Sequence, residues 1–249
     1  RGGVLTAADL AGARAVEQPA LVVELGAGAR VDRLWTTRGP TYGVALADVF
    51  DGAAPAEIGP DQVHRSLTAL ARGDLAADEG TSTVAATDAE GNSVVLVHSN
   101  SFPRYGSGLV VDDYDLVLSN RAGRGFTFEP GHPNAPVAGR RPLTTLHAWG
   151  LRHDDGWLLG ATPGGQQQVP WNAQVLTSLL TSPEGLGPAG MAAAVTSPRW
   201  LLGTDGAVRR EGAELAPLTA RSSHTLVRSG GGRSSAAADP RWDGAAVAV

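Results

Sequence analysis

Read by its apolar and polar positions, the chain puts helices first and then a strand-rich half with helices inserted. Thr6 followed by AADLAGARA reads as an N-capped first helix, and ALVVEL at 20–25 as a short buried strand. GPTYGVALADVF at 39–50 predicts a Gly/Pro turn feeding a helix. After the loop DGAAPAEIGP, a polar-capped helix begins near Asp61 and runs through VHRSLTALAR to Gly73. Residues 74–80, DLAADEG, are small and acidic, as in an exposed connector.

From Thr81 the texture turns to β. TSTVAATD and NSVVLVHS are apolar runs joined by AEGN, a hairpin with turn chemistry at Gly91 and Asn92. Shorter strands are predicted at 108–111, 116–119, 143–149 and 157–161. Helices are predicted at 166–180 and 188–195, and SGGGRSS at 229–235 reads as a flexible surface loop. No internal repeat is evident, and the order of elements suits a layered α/β sandwich.

Length and composition narrow the chemistry. With 249 residues, 42% of them hydrophobic, the chain can bury one substantial core. It is mildly acidic, 20 basic against 25 acidic residues, with no basic stripe to track a phosphate backbone, so nucleic acid is not an expected partner. Cysteine is absent, which removes disulfides, thiolate metal sites and cysteine nucleophiles. All 20 basic residues are arginine, so no side chain offers a Schiff base or a lysine base. No stretch approaches a membrane span and no signal-peptide pattern opens the chain. Starting at Arg1 rather than Met suggests a processed, truncated or partial chain. The compartment is unassigned, with the cytoplasm slightly favoured.

The Gly80-Thr81 junction leads directly into a strand. A small residue lets the threonine hydroxyl approach the preceding carbonyl, and the strand fixes the terminus a cut would create. A free Thr81 would carry nucleophile and base together, its α-amine titrating at about 7.7–8.0. Taken alone, Thr81 reads as an ordinary strand threonine.

Its distant neighbours change that reading. TSTVAATDAEGN at 81–92, YGSGLVV at 105–111, RRPLTT at 140–145, TPGG at 162–165, SPRW at 197–200, ADPRWDGAA at 238–246 and the opening GGVLTAADL at 2–10 occur in the order of similar segments in the γ-glutamyltransferases. The chain thus resembles that family, which belongs to the N-terminal-nucleophile hydrolases. The resemblance implies an α+β fold, the four-layer αββα sandwich, completed by a further large-subunit segment on another chain or in a longer polypeptide. It divides the chain into 1–80, the end of a large-subunit-like segment, and 81–249, a small-subunit-like catalytic segment.

The same resemblance assigns roles. Thr81 is the nucleophile released by self-cleavage after Gly80, and Ser99 is a supporting hydroxyl. Gly164 and Gly165 are the oxyanion donors, and Thr144 and Thr145 stand where paired serines bind a substrate carboxylate. Asn100 or Ser101 takes an asparagine role, a one-residue insertion leaving the choice open. No metal or cofactor is implied. The family's ammonium clamp, an Asn-Asn-x-Met-Asp-Asp-Phe stretch, reads SNRAGRGF at 119–126 here, so Arg121 and Arg124 stand among the clamp positions. Arginine repels a cation and binds carboxylate, which predicts a small anionic substrate.

Three functions are compatible with these residues: amide hydrolysis or acyl transfer on an acidic substrate, hydrolysis of an acyl C–C bond as in pyrroline-type antibiotic pathways, and a non-catalytic binding homologue. Other signals are discounted. ELGAGARV at 24–31 lacks the third glycine of a dinucleotide loop, and His98, His147, His153 and His224 show no metal spacing. Asp154 and Asp155 read as a hairpin turn, and Arg140 and Arg141 as an exposed pair.

Overall fold

The computed structural model describes residues 6–70, 80–101, 106–132, 134–153, 156–203, 206–212 and 222–248. Helix α1 (Ala7–Gly12) starts at Thr6 with a capping box: the Thr6 hydroxyl accepts from Asp9 N, and the Asp9 carboxylate accepts from Thr6 N. Strands β1 (Leu21–Glu24) and β2 (Arg33–Thr36) pair antiparallel, and α2 (Gly43–Phe50) and α3 (Pro60–Leu70) follow. Then come the hairpin β3 (Thr81–Thr87) and β4 (Ser93–Ser99), the short pair β5 (Val110–Val111) and β6 (Leu116–Val117), and the five-residue α4 (Arg121–Gly125). The remainder comprises β7 (Trp149–His153), β8 (Gly156–Ala161), α5 (Gln168–Thr181), α6 (Pro188–Thr196), β9 (Trp200–Leu202), β10 (Val208–Arg210), β11 (Thr225–Gly230) and β12 (Arg233–Ala238).

Six strands form an antiparallel sheet in the order β1-β2-β7-β8-β11-β12. The two-residue alternation of strand side chains splits it into two chemistries. Leu34, Leu151, Leu158 and Leu226 are fully buried in one core with Leu46 and Phe50 of α2, Val63 and Leu67 of α3, and Val169, Leu176 and Leu179 of α5. The other face bears Thr225 and Ser229, which the β3–β4 hairpin meets: Thr83 Oγ1 lies 2.9 Å from Thr225 Oγ1, and Ser93 Oγ 3.0 Å from Ser229 Oγ. The result is an α+β fold in which a helical layer, a six-stranded sheet and a two-stranded hairpin are stacked among the described residues.

The hairpin alternates strictly. Val84, Val94 and Leu96 point away from the sheet and are 60%, 58% and 56% exposed. Its turn is closed by Asp88, whose carboxylate accepts from Asn92 N and Nδ2 at 2.8 Å, while Gly91 takes the positive φ of 87°. The Asn92 side-chain bond is the main reason that the Asp88 carboxyl lies below the usual carboxylate range.

Several elements depart from the expectations. The first helix stops at Gly12. ELGAGARV, by contrast, is a turn and no dinucleotide loop, as expected: it joins β1 to β2, closed by Leu25 N to Asp32 O at 2.8 Å and by Arg33 Nε to Glu24 Oε1 at 2.7 Å. Residues 143–148 form no strand beyond a single bridge from Thr144 to Thr41: on either side of it Leu143 N donates to Asn134 Oδ1 and Leu146 N to Thr144 Oγ1, so side chains take bonds that would extend a ladder. Strand β7 starts only at Trp149. SGGGRSS is no loose loop but the β11–β12 hairpin, with Gly231 and Gly232 at φ 61° and 68°, as a two-residue turn with positive φ at both positions requires. Strands β2, β9 and β10, of three or four residues, carry too little alternation to be seen in sequence. The connector at 74–79 and the Asp154-Asp155 turn lie outside the described residues, although His153 and Gly156 pair across the latter.

The SPRW and ADPRWDGAA segments meet inside the molecule. Arg241 Nε and Nη2 grip Glu211 at 2.8 and 2.6 Å, and its Nη1 donates to Asp239 Oδ1 at 2.8 Å. Arg199 and Arg241 both donate to Val195 O and Ser197 O at the end of α6. Asp239 also accepts from Ser222 Oγ at 2.6 Å. Burial opposes ionisation of Asp239, but the bonds from His224, Ser222 and Arg241 win and hold its carboxyl well below the usual range. The cluster latches the chain's last strand to α6.

Candidate active site

Thr81 opens β3 directly opposite Ser99 in the ladder. Ser99 Oγ accepts from Ser101 N at 3.0 Å and donates to Gly80 O at 3.3 Å, so its proton points at the carbonyl that precedes Thr81. Ser101, at φ 64°, and Gly80, at φ 109°, both take the left-handed backbone this local geometry needs.

Register shows where Thr81 points. Thr83 lies over Thr225 and Ser93, the partner of Thr87, over Ser229, so β3 runs in the same direction as β11. Thr225 pairs with Ala161, the last residue of β8. Thr81 therefore projects past Thr225 toward the place where β8 gives way to Thr162-Pro163-Gly164-Gly165 and then α5. Gly164 and Gly165 have φ of 130° and 55°, and the Trp171 ring occupies the space a Gly164 Cβ would need. Glycine is obligatory at this turn. Thr162 Oγ1 holds the turn from behind, accepting from Ser223 N at 3.0 Å and donating to Pro163 O. Among the described residues neither glycine N–H meets an acceptor, which suits an anion-binding turn at a helix start.

Thr144 and Thr145 reach the same end of the sheet. Thr144 bridges to Thr41 at the start of α2, with Tyr42 N donating to Thr144 O at 2.9 Å and Thr144 N to Pro40 O at 3.1 Å. Gln168 Nε2, on the first residue of α5, donates to Thr145 Oγ1 at 3.3 Å. Gly125 packs so close to Leu143 O that a Cβ would come within 2.7 Å, and Asn134 Nδ2 bonds to Gly125 O, which seats α4 and the half-buried Arg121 beside this loop. Asn120 N donates to Asn100 O at 2.9 Å, tying α4 back to the end of β4. Thr81, Ser99, Asn100, Ser101, Arg121, Thr144, Thr145, Gly164 and Gly165 are thereby linked at one end of the sandwich. The Arg124 backbone lies in α4, and its side chain is outside the described residues.

A cavity of about 660 Å³ lies elsewhere. It runs beside β4 over β2 and β7, lined by Trp35, Trp157, Val95 and Arg38. No group of three metal-ligating side chains occurs among the described residues. Sequence reasoning missed His147, Asn172 and Gln168 behind Thr145; only the position of His147 two residues after the Thr-Thr pair hinted at them.

Comparison with known proteins places the fold in a family. A family model described as Gamma-glutamyltranspeptidase matches residues 51–249. The gamma-glutamyltranspeptidase of Pseudomonas nitroreducens, solved with L-DON, superposes with a TM-score of 0.54 at 22% identity, over 67% of this chain and 98% of that one. A mutant of the Helicobacter pylori enzyme gives 0.51 at 19% identity, over 64% and 99%. A structure of an LmbA variant gives 0.70 at 18% identity, over 97% of this chain and 57% of that one, so the chain spans just over half of that protein. No curated protein matches the sequence. No helix among the described residues is long and apolar enough to cross a membrane. With its model matched over most of the length, and a threonine-led hairpin facing a Gly-Gly turn in the family's fold, the chain belongs to the gamma-glutamyltranspeptidase family.

Proposed function

We propose that this chain is an N-terminal-threonine hydrolase or acyltransferase that matures by cutting its own Gly80–Thr81 bond and acts on an anionic acyl donor. The observation that carries the reading is the Ser99 hydroxyl bonded to the carbonyl of the bond to be cut. In maturation, Thr81 Oγ adds to the Gly80 carbonyl carbon while Ser99 stabilises the oxygen. The amide C–N bond breaks to leave an ester, and water then releases a Gly80 carboxylate and a free Thr81 amine.

In turnover the Thr81 amine takes the hydroxyl proton and Oγ attacks the substrate carbonyl. The Gly164 and Gly165 amides hold the oxyanion, and the leaving group departs with the proton from the Thr81 ammonium. Water or an acceptor amine releases the acyl group. Thr144, Thr145, Arg121 and Arg124 bind the donor's negative charge. The apolar outer face of the hairpin supports a covering large-subunit segment, supplied by another chain or by a longer polypeptide.

Intact-mass measurement tests maturation. The wild type is expected to separate at Gly80–Thr81, Thr81→Ala to stay whole, and Ser99→Ala to cut about a hundred- to a thousandfold more slowly, the range for loss of one oxyanion donor. A wild type that stays whole under all conditions sinks the catalytic reading and leaves the binding homologue. Substrate charge is tested with glutaryl- and γ-glutamyl-p-nitroanilide, which differ only in the α-ammonium. The glutaryl donor should be preferred by about tenfold, and Arg124→Asp should narrow or invert that preference. An unchanged ratio in Arg124→Asp refutes the arginine assignment. Turnover of keto-acid substrates without either anilide would place the enzyme among C–C bond hydrolases.

A further inference from the structure

We propose that Trp149, Asn172 and His147 form a buried positioning relay that, with Gln168, sets Thr145 to donate its hydroxyl proton to the carboxylate of the acyl donor. The inference rests on the substrate-binding role given to Thr145 above and adds the residues that make it a donor.

The polarity of the relay follows from its first member. An indole N–H can only donate, and Trp149 Nε1 lies 3.0 Å from Asn172 Oδ1. That fixes the Asn172 amide, whose Nδ2 must face His147 Nε2, also at 3.0 Å. An amide NH2 only donates, so His147 Nε2 carries a lone pair and the ring proton sits on Nδ1. His147 Nδ1 lies 2.8 Å from Thr145 O and donates to it. Each bond dictates the next, and the three side chains are at most 1% exposed. Burial holds the imidazole neutral, its pKa pushed down to about 4, so the tautomer persists at working pH.

Among the described residues His147 is the group that bonds the Thr145 carbonyl. Residues 143–148 have no strand ladder, so the Thr145 carbonyl would otherwise be unsupported on its inner side. Gln168, fully buried, completes the setting from α5: with its Nε2 donating to Thr145 Oγ1 at 3.3 Å and its Oε1 without a partner among the described residues, the hydroxyl proton is left to point away into the site. A hydroxyl held as an acceptor from behind is a donor in front, the polarity a carboxylate requires.

Two measurements test the relay, and a control separates it from the reading beneath it. In 15N-histidine spectra of the mature protein, His147 should show the neutral Nδ1–H form; an Nε2–H ring refutes the relay without any activity assay. With glutaryl-p-nitroanilide, His147→Leu should raise KM by about tenfold while kcat falls by less than about threefold. His147→Asn, whose amide can still donate to Thr145 O, should recover most of that loss. An unchanged KM in a His147→Leu protein that still cuts at Gly80–Thr81 overturns the proposal, as does loss without rescue by asparagine. Thr145→Val is the control: if it leaves KM unchanged, the substrate-binding role of Thr145 fails, whatever the histidine variants do.

Discussion

A single methyl group at position 164 would collide with the Trp171 ring and force a side chain into a backbone of φ 130°. Such strain costs on the order of 1–3 kcal/mol, and here it falls on a proposed oxyanion donor. Gly164→Ala should therefore keep self-cleavage at Gly80–Thr81 but lose about a hundredfold in turnover, seen as a kcat effect in anilide assays. Retained kcat would remove Gly164 from the site. At this scale the sequence marked the TPGG turn, where Gly164 has no room for a side chain, along with the Gly-Thr junction and the Thr-Thr pair on which the proposed function rests. His147 was not, because its role depends on Asn172 and Trp149, which only folding brings to it.

Among the elements, legibility followed length and local chemistry. The β3–β4 hairpin and helices α2, α3, α5 and α6 were evident because each carries its own alternation or run of apolar residues, set off by Gly, Pro or other turn residues. The misreadings were of two kinds. Residues 143–148 are rich in β-formers, yet Asn134 and Thr144 side chains satisfy the backbone first, so no strand begins before Trp149. Gly231 and Gly232 looked like slack chain, but positive φ at both is the condition for joining β11 to β12 in two residues. The sandwich itself, with the polar inner face of the hairpin on Thr225 and Ser229, followed from the family resemblance and not from periodicity.

For the molecule as a whole, acid is the expected weakness. His147 and His224 are buried, and burial lowers each from 6.5 to about 4; for His224 the nearby Asp239 opposes that shift while Arg199 and Arg241 reinforce it. The unfolded chain binds these protons near pH 6.5 and the native chain only near pH 4. Stability is thus fully present above pH 6.5, falls between 6.5 and 4, and levels off below 4 as far as these two groups are concerned. Each contributes a loss of about 3 kcal/mol, against a total of roughly 5–15 kcal/mol for a typical domain. Asp239, with its lowered carboxyl, extends the decline below pH 3.8. Thermal melts from pH 7.5 to 4 should show a progressive fall in Tm, reduced by about half in His147→Leu; a flat profile would mean that the rings are charged or hydrated in the native state.

The ladder that pairs Thr81 with Ser99 continues through every residue to Thr87 and Ser93. Breaking the peptide link before Thr81 removes no partner from those seven rungs. Activation would then proceed without refolding, and precursor and product would share one shape. The enzyme would keep time by the half-life of one covalent bond, so that a population newly made would be inert and the same population, left alone, would become active with age.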